Sequence, residues 1–250
     1  MKKVAEVTLV FWIMKICATT LGETAGDLLS MTMNIGYAAS SLILLSFFLV
    51  TLILQLSAAS FHPVLYWLVI LSTSTAGTTM SDYMDRTLGL GYVTGSVILA
   101  SLLLLSLGIW WLSERSLSVT NISSFRPELF YWITILISNT LGTALGDFLA
   151  DSSGLGFSGG ALLIGSLIAL VTIAFYLTRL SHVLLFWIAF VLTRPFGATF
   201  GDLLTKPVAS GGLGFGTVGS SLILFLILGI FMTASVVRHK KQQTLNQTVS

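Results

Sequence analysis

The sequence predicts an all-α integral membrane protein with eight transmembrane helices, arranged as four tandem helical hairpins that share one orientation. Two observations lead to this fold class. The 250-residue chain is 55% apolar and only 9% charged, whereas soluble domains carry about 25% charged residues, so its apolar surface is expected to face lipid. A motif that runs from a tryptophan to an aspartate also occurs four times, and each copy leaves room for two helices.

Eight apolar stretches have the length of about 20 residues that a bilayer requires. They cover residues 9–29, 37–56, 64–82, 91–112, 129–148, 158–178, 183–203 and 215–237. In pairs they predict a single transmembrane domain over 1–237, with repeats at about 9–56, 64–112, 129–178 and 183–237. A polar cytoplasmic tail, expected to be loose, follows over 238–250. The first stretch contains Lys15 and Glu23 and aligns with the later copies, so we interpret it as a mature helix and not as a signal peptide.

The distribution of lysine and arginine predicts the orientation of the chain in the membrane. With the N-terminus inside, eight basic residues lie on the same side: Lys2, Lys3, Arg115, Arg126, Arg179, Arg238, Lys240 and Lys241. The opposite loops carry only Arg86 and Lys206. The excess of basic residues therefore places both termini in the cytoplasm.

The four copies of the motif align without gaps. They are WIMKICATTLGETAGD from Trp12, WLVILSTSTAGTTMSD from Trp67, WITILISNTLGTALGD from Trp132 and WIAFVLTRPFGATFGD from Trp187. Each copy ends 15 residues later in an aspartate: Asp27, Asp82, Asp147 and Asp202. The aspartates are 55, 65 and 55 residues apart, which indicates two similar halves. We interpret the tryptophans as anchors at the membrane interface.

Small residues surround each aspartate. A glycine lies five residues before it (Gly22, Gly77, Gly142 and Gly197), and a glycine or serine directly precedes it. This small-xxx-small spacing predicts a close approach of neighbouring helix backbones. A glycine turn follows, as NIGY at Asn34–Tyr37, GLGY at Gly89–Tyr92, GLGF at Gly154–Phe157 and GLGF at Gly212–Phe215. The aromatic residue is expected to open the next helix, and no predicted strand precedes the glycines as a dinucleotide-binding site would require.

Polar residues recur about three, four, seven and eight positions before each aspartate and therefore share one helical face. Since buried charge avoids lipid, we expect the four odd-numbered helices to surround a central axis along the membrane normal, with pseudo-symmetry and the even-numbered helices outside. Clustered carboxylates hold protons or a cation, and oxygen ligands suit divalent ions. The predicted cation site contains Asp27, Asp82, Asp147, Asp202, Glu23, Thr20, Thr78, Thr143 and Arg194. Its five carboxylates are the predicted metal ligands.

With these features the sequence resembles a family of bacterial membrane-anchored proteins built from four copies of a two-helix repeat of unknown function. The tryptophan set Trp12, Trp67, Trp132 and Trp187 carries the resemblance, which extends from about Trp12 to Phe231. It implies a multi-pass protein of the bacterial cytoplasmic (inner) membrane, and it implies no substrate.

The leading functional hypothesis is a transporter of a small cation, above all a divalent metal ion, with protons as the coupling ion. One alternative is a non-transporting scaffold or stress-linked assembly protein in which the aspartates cap the turns. Another is a transporter of organic cations or amino acids. An enzyme is not expected, because no histidine lies in the polar stripe. The expected partners are the lipid bilayer and a small cation or proton. Nucleic acid is not expected at a net charge of +2, and no cofactor is expected.

Overall fold

The computed structural model describes residues 2–120 and 122–249 of the chain. Every regular element in these ranges is helical, which confirms the predicted all-α class. The eight α-helices of the described chain are α1 (Leu9–Asp27), α2 (Tyr37–Ser57), α3 (Pro63–Asp82), α4 (Gly91–Glu114), α5 (Phe125–Asp147), α6 (Gly156–Leu177), α7 (His182–Thr205) and α8 (Gly216–Val249). Met1 and Asn121 of the predicted domain and Ser250 of the predicted tail lie outside the described residues.

Local capping explains where three of the odd-numbered helices begin. The Thr8 hydroxyl accepts a hydrogen bond from the Phe11 amide at the start of α1. His62 Nδ1 and the Ser181 hydroxyl accept the equivalent bonds at the starts of α3 and α7. Each side chain satisfies one of the amide groups that the first helical turn leaves without a partner.

The four odd-numbered helices form a closed ring. Helix α1 packs against α3, α3 against α5, α5 against α7, and α7 against α1. The even-numbered helices lie outside: α2 packs on α3, α4 on α5, α6 on α7, and α8 on α1. The main partner of each even helix is therefore the odd helix of the next repeat, and the ring closes when α8 returns to the first repeat. The expected hairpins are thus not self-contained, because each repeat needs its neighbour to bury its outer helix.

The repeated glycines make the contacts between neighbouring ring helices. A Cβ atom placed on Gly197 would lie 2.6 Å from Thr19 Oγ1, and one on Gly77 would lie 3.0 Å from the backbone of Asn139. Gly22 and Gly142 face Ser74 and Arg194 in the same manner. Each glycine therefore meets the residue three positions earlier in the motif of the next helix. The ring helices accordingly run parallel and in one register, which brings all four aspartates to the same end of the ring.

Aromatic side chains fill the opposite end of the ring. Trp67, Trp132 and Trp187 are buried, and Trp132 lies with its ring centroid 5.0 Å from Tyr131 and 5.4 Å from Tyr66. The interpretation of the tryptophans as interfacial anchors is wrong for these three residues, and Trp12 is half-buried. The glycine contacts between ring helices lie towards the aspartate end, and at the aromatic end large side chains fill the interior instead.

The N-terminal segment closes the aromatic end from outside the ring. Lys3 Nζ donates hydrogen bonds to Glu128 Oε2 at 2.8 Å and to the Leu56 carbonyl at 2.9 Å. Gln55 Nε2 donates to Glu128 Oε1 at 2.8 Å, so both carboxylate oxygens of this fully buried residue are satisfied. These bonds tie the N-terminal segment to α2 and α5.

We expect Tyr66→Phe to lower the free energy of unfolding by about 1–2 kcal/mol, because the buried hydroxyls of Tyr66 and Tyr131 lie 2.5 Å apart and the variant leaves one without its partner. Denaturant unfolding of the detergent-solubilised protein measures the change. Tyr176→Phe, at an exposed position on α6, is the matched control. Equal stability of the two variants would contradict this assignment of the hydroxyl pair.

The chain leaves the first three ring helices through a π-helical turn. These turns cover Leu28–Thr32, Tyr83–Thr87 and Phe148–Ser152, whereas α7 ends at Thr205 and a short 3₁₀ helix follows at Val208–Ser210. Isolated π-helical turns of this kind are rare, and they frequently accompany functional sites.

Two residues with positive φ angles then complete each turn. They are Asn34 and Gly36, Gly89 and Gly91, Gly154 and Gly156, and Gly214 and Gly216. The turn of the fourth copy is therefore Gly214–Gly216, two residues beyond the predicted alignment at Gly212–Phe215. Phe215 lies inside this turn and does not open α8, because the extra residues around the 3₁₀ helix shift the register.

Six of the described helices are long and apolar enough to cross a membrane: α2, α4, α5, α6, α7 and α8. Helices α1 and α3 are not in this set, because their polar stripes lower the mean hydropathy. The even helices expose large apolar side chains on their outer faces, among them Leu104, Leu162 and Ile230. The surface is therefore typical of a membrane protein. Helix α8 continues through Val249, so the segment expected to be a loose tail is helical as far as the structure describes it.

Candidate functional site

Buried polar side chains fill the ring interior in layers one helical turn apart. The layer nearest the aromatic end contains Lys15, which is fully buried. Lys15 Nζ lies 3.3 Å from Asn139 Oδ1 and 4.0 Å from the centre of the Phe190 ring. Asn139 Nδ2 in turn donates to Thr73 Oγ1 at 2.9 Å. The Lys15 amine thus contacts an amide oxygen on one side and an aromatic face on another.

Arg194 occupies the next layer and links the four ring helices. Its guanidinium, on α7, donates to Glu23 Oε2 on α1 at 2.9 Å and to Thr143 Oγ1 on α5 at 2.7 Å. It also donates to Thr78 Oγ1 and to the Ser74 carbonyl on α3, the latter at 3.3 Å. Arg194 is fully buried, so this network holds a desolvated ion pair at the centre of the ring.

The four repeated aspartates form the layer at the end of the ring opposite the aromatic end, where two basic side chains pair them. Lys206 Nζ lies 2.7 Å from Asp27 Oδ2 and 3.0 Å from Asp202 Oδ1, which joins α1 to α7. The Arg86 guanidinium lies 2.9 Å from Asp82 and 3.2 Å from Asp147, which joins α3 to α5. The aspartate side chains are at most 6% exposed, whereas Lys206 and Arg86 are 23% and 32% exposed. The two basic side chains therefore cover the carboxylates.

The carboxylates keep both covering side chains charged. Partial burial by itself lowers the pKa of the Lys206 ammonium, but the attraction of Asp202 and Asp27 outweighs it and raises that pKa above its usual value. Burial likewise lowers the pKa of the Arg86 guanidinium, but the attraction of Asp147 and Asp82 outweighs it and raises that pKa above its usual value. Since both values move upward, both groups stay protonated throughout the physiological pH range.

Three carboxylates converge beneath this cover. Glu23 on α1, Asp147 on α5 and Asp202 on α7 each offer an oxygen atom, and the three oxygens lie within 4.8 Å of one another. All three side chains are buried. Oxygens bound to a Ca²⁺ or Mg²⁺ ion lie about 2.0–2.6 Å from the metal, so ligands of one ion are at most about 5 Å apart. The carboxylate triad of Glu23, Asp147 and Asp202 thus has the spacing and the ligand type of a divalent-cation site.

The formal charges at this end of the ring do not balance. Five carboxylates, those of Glu23 and the four aspartates, meet three basic side chains: Arg86, Arg194 and Lys206. Asp85 and Asp151 also lie close to Arg86, so four negative charges remain at this end when all groups ionise. Lys15 lies eight residues before Glu23, which is about 12 Å along the helix, and no carboxylate of the described chain pairs with it.

The structure distributes the predicted site residues over several roles. Glu23, Asp147 and Asp202 form the triad, whereas Asp27 and Asp82 lie outside it and pair with Lys206 and Arg86. Thr78, Thr143 and Arg194 belong to the network one layer below. The Thr20 hydroxyl donates to the Ile16 carbonyl of its own helix, which is the common behaviour of a buried helical threonine.

Sequence reasoning treated Arg86 and Lys206 only as loop charges that report orientation. Both lie four residues after an aspartate, a spacing that places two side chains on the same helical face. They occur in the second and fourth copies, while Met31 and Asp151 take the equivalent positions in the first and third. The basic residue four positions after the aspartate, present in every second copy, is the sequence pattern that indicates these ion pairs.

Comparison with known proteins agrees with the fourfold repeat. Residues 10–60, 65–116, 130–181 and 185–241 match the family described as Repeat of Unknown Function (DUF347). The chain belongs to this family. Each of the four DUF347 segments contains one odd-numbered helix of the ring and the even-numbered outer helix that follows it in the chain. No curated protein and no solved structure matches the chain.

Proposed function

We propose that this DUF347 protein is a membrane transporter of a small cation, specifically a divalent metal ion, which binds at the carboxylate triad. The observation that carries the proposal is the convergence of Glu23, Asp147 and Asp202 within 4.8 Å inside a ring of helices. The three residues come from three different repeats, so only the assembled ring creates the site.

Charge and ligand chemistry support a divalent ion. Carboxylates outnumber basic side chains at this end of the ring, and a divalent ion offsets more of that negative charge than a monovalent ion does. Carboxylate oxygens are hard ligands, which favour Mg²⁺, Ca²⁺ and Mn²⁺ over ions that prefer sulfur. Protons that neutralise the same carboxylates in the absence of the ion would supply a coupling mechanism, because the cation and the protons compete for the same oxygens.

The proposed topology has eight spans, with both termini in the cytoplasm of a bacterial inner membrane. Helices α1 and α3 are included because α2 and α8 cover them, so their polar stripes face the ring interior and not lipid. The positive-inside distribution then directs the aspartate end of the ring outward. Aromatic packing fills the proposed cytoplasmic end, so the cation is expected to approach the triad from the outer side, past Lys206 and Arg86.

The alternative in which the aspartates only cap turns is less well supported. Asp27, Asp82 and Asp147 directly precede their π-helical turns, and none of their side chains makes a capping hydrogen bond there. Ion pairs with Lys206 and Arg86 engage them instead. A role confined to scaffolding therefore needs some other reason for five buried carboxylates.

Binding of Mn²⁺ to the purified protein in detergent, measured by isothermal titration calorimetry, tests the proposal. We expect Asp147→Asn and Asp202→Asn each to weaken binding by about tenfold or more, since each removes a charged ligand of the triad. Asp27→Asn and Asp82→Asn should weaken it less, because these residues lie outside the triad. Glu6→Gln, at an exposed position, is the matched control and should bind as wild type.

Reconstitution in liposomes extends the test from binding to transport. We expect Mn²⁺ uptake that depends on the protein and falls in the two triad variants. If the wild-type protein binds none of Mg²⁺, Ca²⁺ and Mn²⁺ and moves none of them, the proposed function is wrong. Competition by an organic cation but not by these metals would favour an organic-cation transporter instead.

A further inference from the structure

Lys206 places a single ammonium group within the carboxylate layer. Its ammonium lies between Asp27 and Asp202, at 2.7 Å and 3.0 Å. The structure thus already holds a positive ion at this level, and the chain itself supplies it. The aspartate layer is therefore suited to bind a small cation, and the ammonium has the size and charge of one.

Asp202 belongs both to the Lys206 ion pair and to the carboxylate triad. A metal ion in the triad needs the Asp202 carboxylate, and the ammonium neutralises that same group. The two cations therefore compete for one ligand. Because the ammonium is tethered a few ångströms away, its effective concentration at the carboxylate is far above that of a free monovalent ion.

Arg86 also contacts a triad residue, Asp147, but it is held more firmly. Its guanidinium reaches three carboxylates, those of Asp82, Asp147 and Asp151, and it stacks on the Tyr92 ring at 5.6 Å. Lys206 contacts only two carboxylates with a single nitrogen atom on a flexible stem. Its backbone is fixed at the end of α7, where its amide donates to the Asp202 carbonyl at 2.9 Å, so the flexibility that matters here is that of the side chain.

We propose that Lys206 is the specificity-determining residue of the cation site: a resident ammonium that the substrate displaces from Asp202 on binding and that returns to Asp202 on release. This inference rests on the proposed function. A free monovalent ion carries no more charge than the tethered ammonium and does not displace it, whereas a divalent ion attracts the triad twice as strongly. Lys206 therefore selects for divalent ions, and it replaces the departing ion so that the acidic layer never lacks a counter-charge.

Two substitutions at position 206 with opposite expected effects test the inference. Lys206→Met removes the competing ammonium, so Mn²⁺ binding should become about tenfold tighter, and Na⁺ in large excess should begin to compete with Mn²⁺. Lys206→Arg keeps the charge and adds hydrogen bonds to the carboxylates, so Mn²⁺ binding should become weaker than in wild type. Lys2→Met, which removes a charge at the far end of the molecule, is the control and should leave binding unchanged.

The outcomes separate this inference from the proposed function. Absence of divalent-cation binding in the wild-type protein would overturn both. Wild-type binding that Lys206→Met leaves unchanged, with Na⁺ still ineffective, would overturn the role of Lys206 alone. A purely long-range effect of charge would leave Lys206→Arg like wild type, and that result would also count against displacement. Because Lys206→Arg retains both ion-pair partners, it remains informative if the methionine variant fails to fold.

Discussion

Replacement of Arg194 by methionine is expected to lower the free energy of unfolding by about 3–5 kcal/mol, the largest effect of any single substitution considered for this protein. The side chain is fully buried and donates hydrogen bonds to groups on all three other ring helices. Its loss would leave the Glu23 carboxylate buried without its countercharge. Unfolding in detergent, followed by circular dichroism, measures the change.

Two further variants identify the cause of that loss. The double variant Arg194→Met with Glu23→Gln should regain part of the stability, because it also removes the uncompensated charge. Arg194→Lys should remain destabilised, since a single ammonium cannot reach Glu23, Thr143 and Thr78 together as the planar guanidinium does. Full stability of the lysine variant would mean that charge alone, and not the branched hydrogen-bond network, holds the ring.

Gly197→Ala is expected to destabilise the protein by about 2–3 kcal/mol, although it adds a single methyl group. The added Cβ would lie 2.6 Å from Thr19 Oγ1 and 2.8 Å from the backbone carbonyl carbon of Thr19. A backbone atom cannot move aside as a flexible side chain can, so α1 and α7 would have to separate. Thermal unfolding in detergent, compared with wild type, measures the loss.

Gly229→Ala on α8 is the matched control, because a Cβ there meets nothing within 4 Å. Alanine favours helix over glycine by about 0.5–1 kcal/mol, so this variant should be as stable as wild type or slightly more so. The same substitution is therefore expected to have opposite signs at the two positions. Equal effects would show that glycine at position 197 serves backbone flexibility and not helix contact.

The parts of the fold that could be predicted from sequence are those with a short-range signal. Small residues at a spacing of four predicted close helix contacts, and Gly77, Gly142 and Gly197 lie at such contacts. The repeated polar face predicted that the odd-numbered helices surround one axis, and Arg86 and Lys206 join their four aspartates in pairs at one end of the ring. Both predictions follow from residue spacing within a single helix and from the similarity of the four repeats.

Other expectations did not hold, because they depended on what surrounds a residue. Trp67 and Trp132 carry the amphipathic side chain typical of a membrane interface, yet they are buried inside the ring of helices. Phe215 was aligned by motif similarity, but the insertion after Lys206 moves the turn to Gly214–Gly216. The tryptophan pattern fits both a membrane interface and a protein interior, and the glycine pattern fits two alignments of the turn.

The sequence by itself determined the all-α class, the apolar outer helices, the fourfold repeat and the polar face that each ring helix turns inward. These features follow from composition and periodicity, which act along one helix at a time. Only the tertiary structure decided that Lys206 and Arg86 pair the aspartates, that Arg194 joins four helices, and that Glu23, Asp147 and Asp202 form the triad. Arg86–Asp82 and Lys206–Asp202 are four residues apart, but the other partners are more than 50 residues apart in the chain. Which oxygen meets which nitrogen there depends on distances across the ring that no spacing within a helix contains.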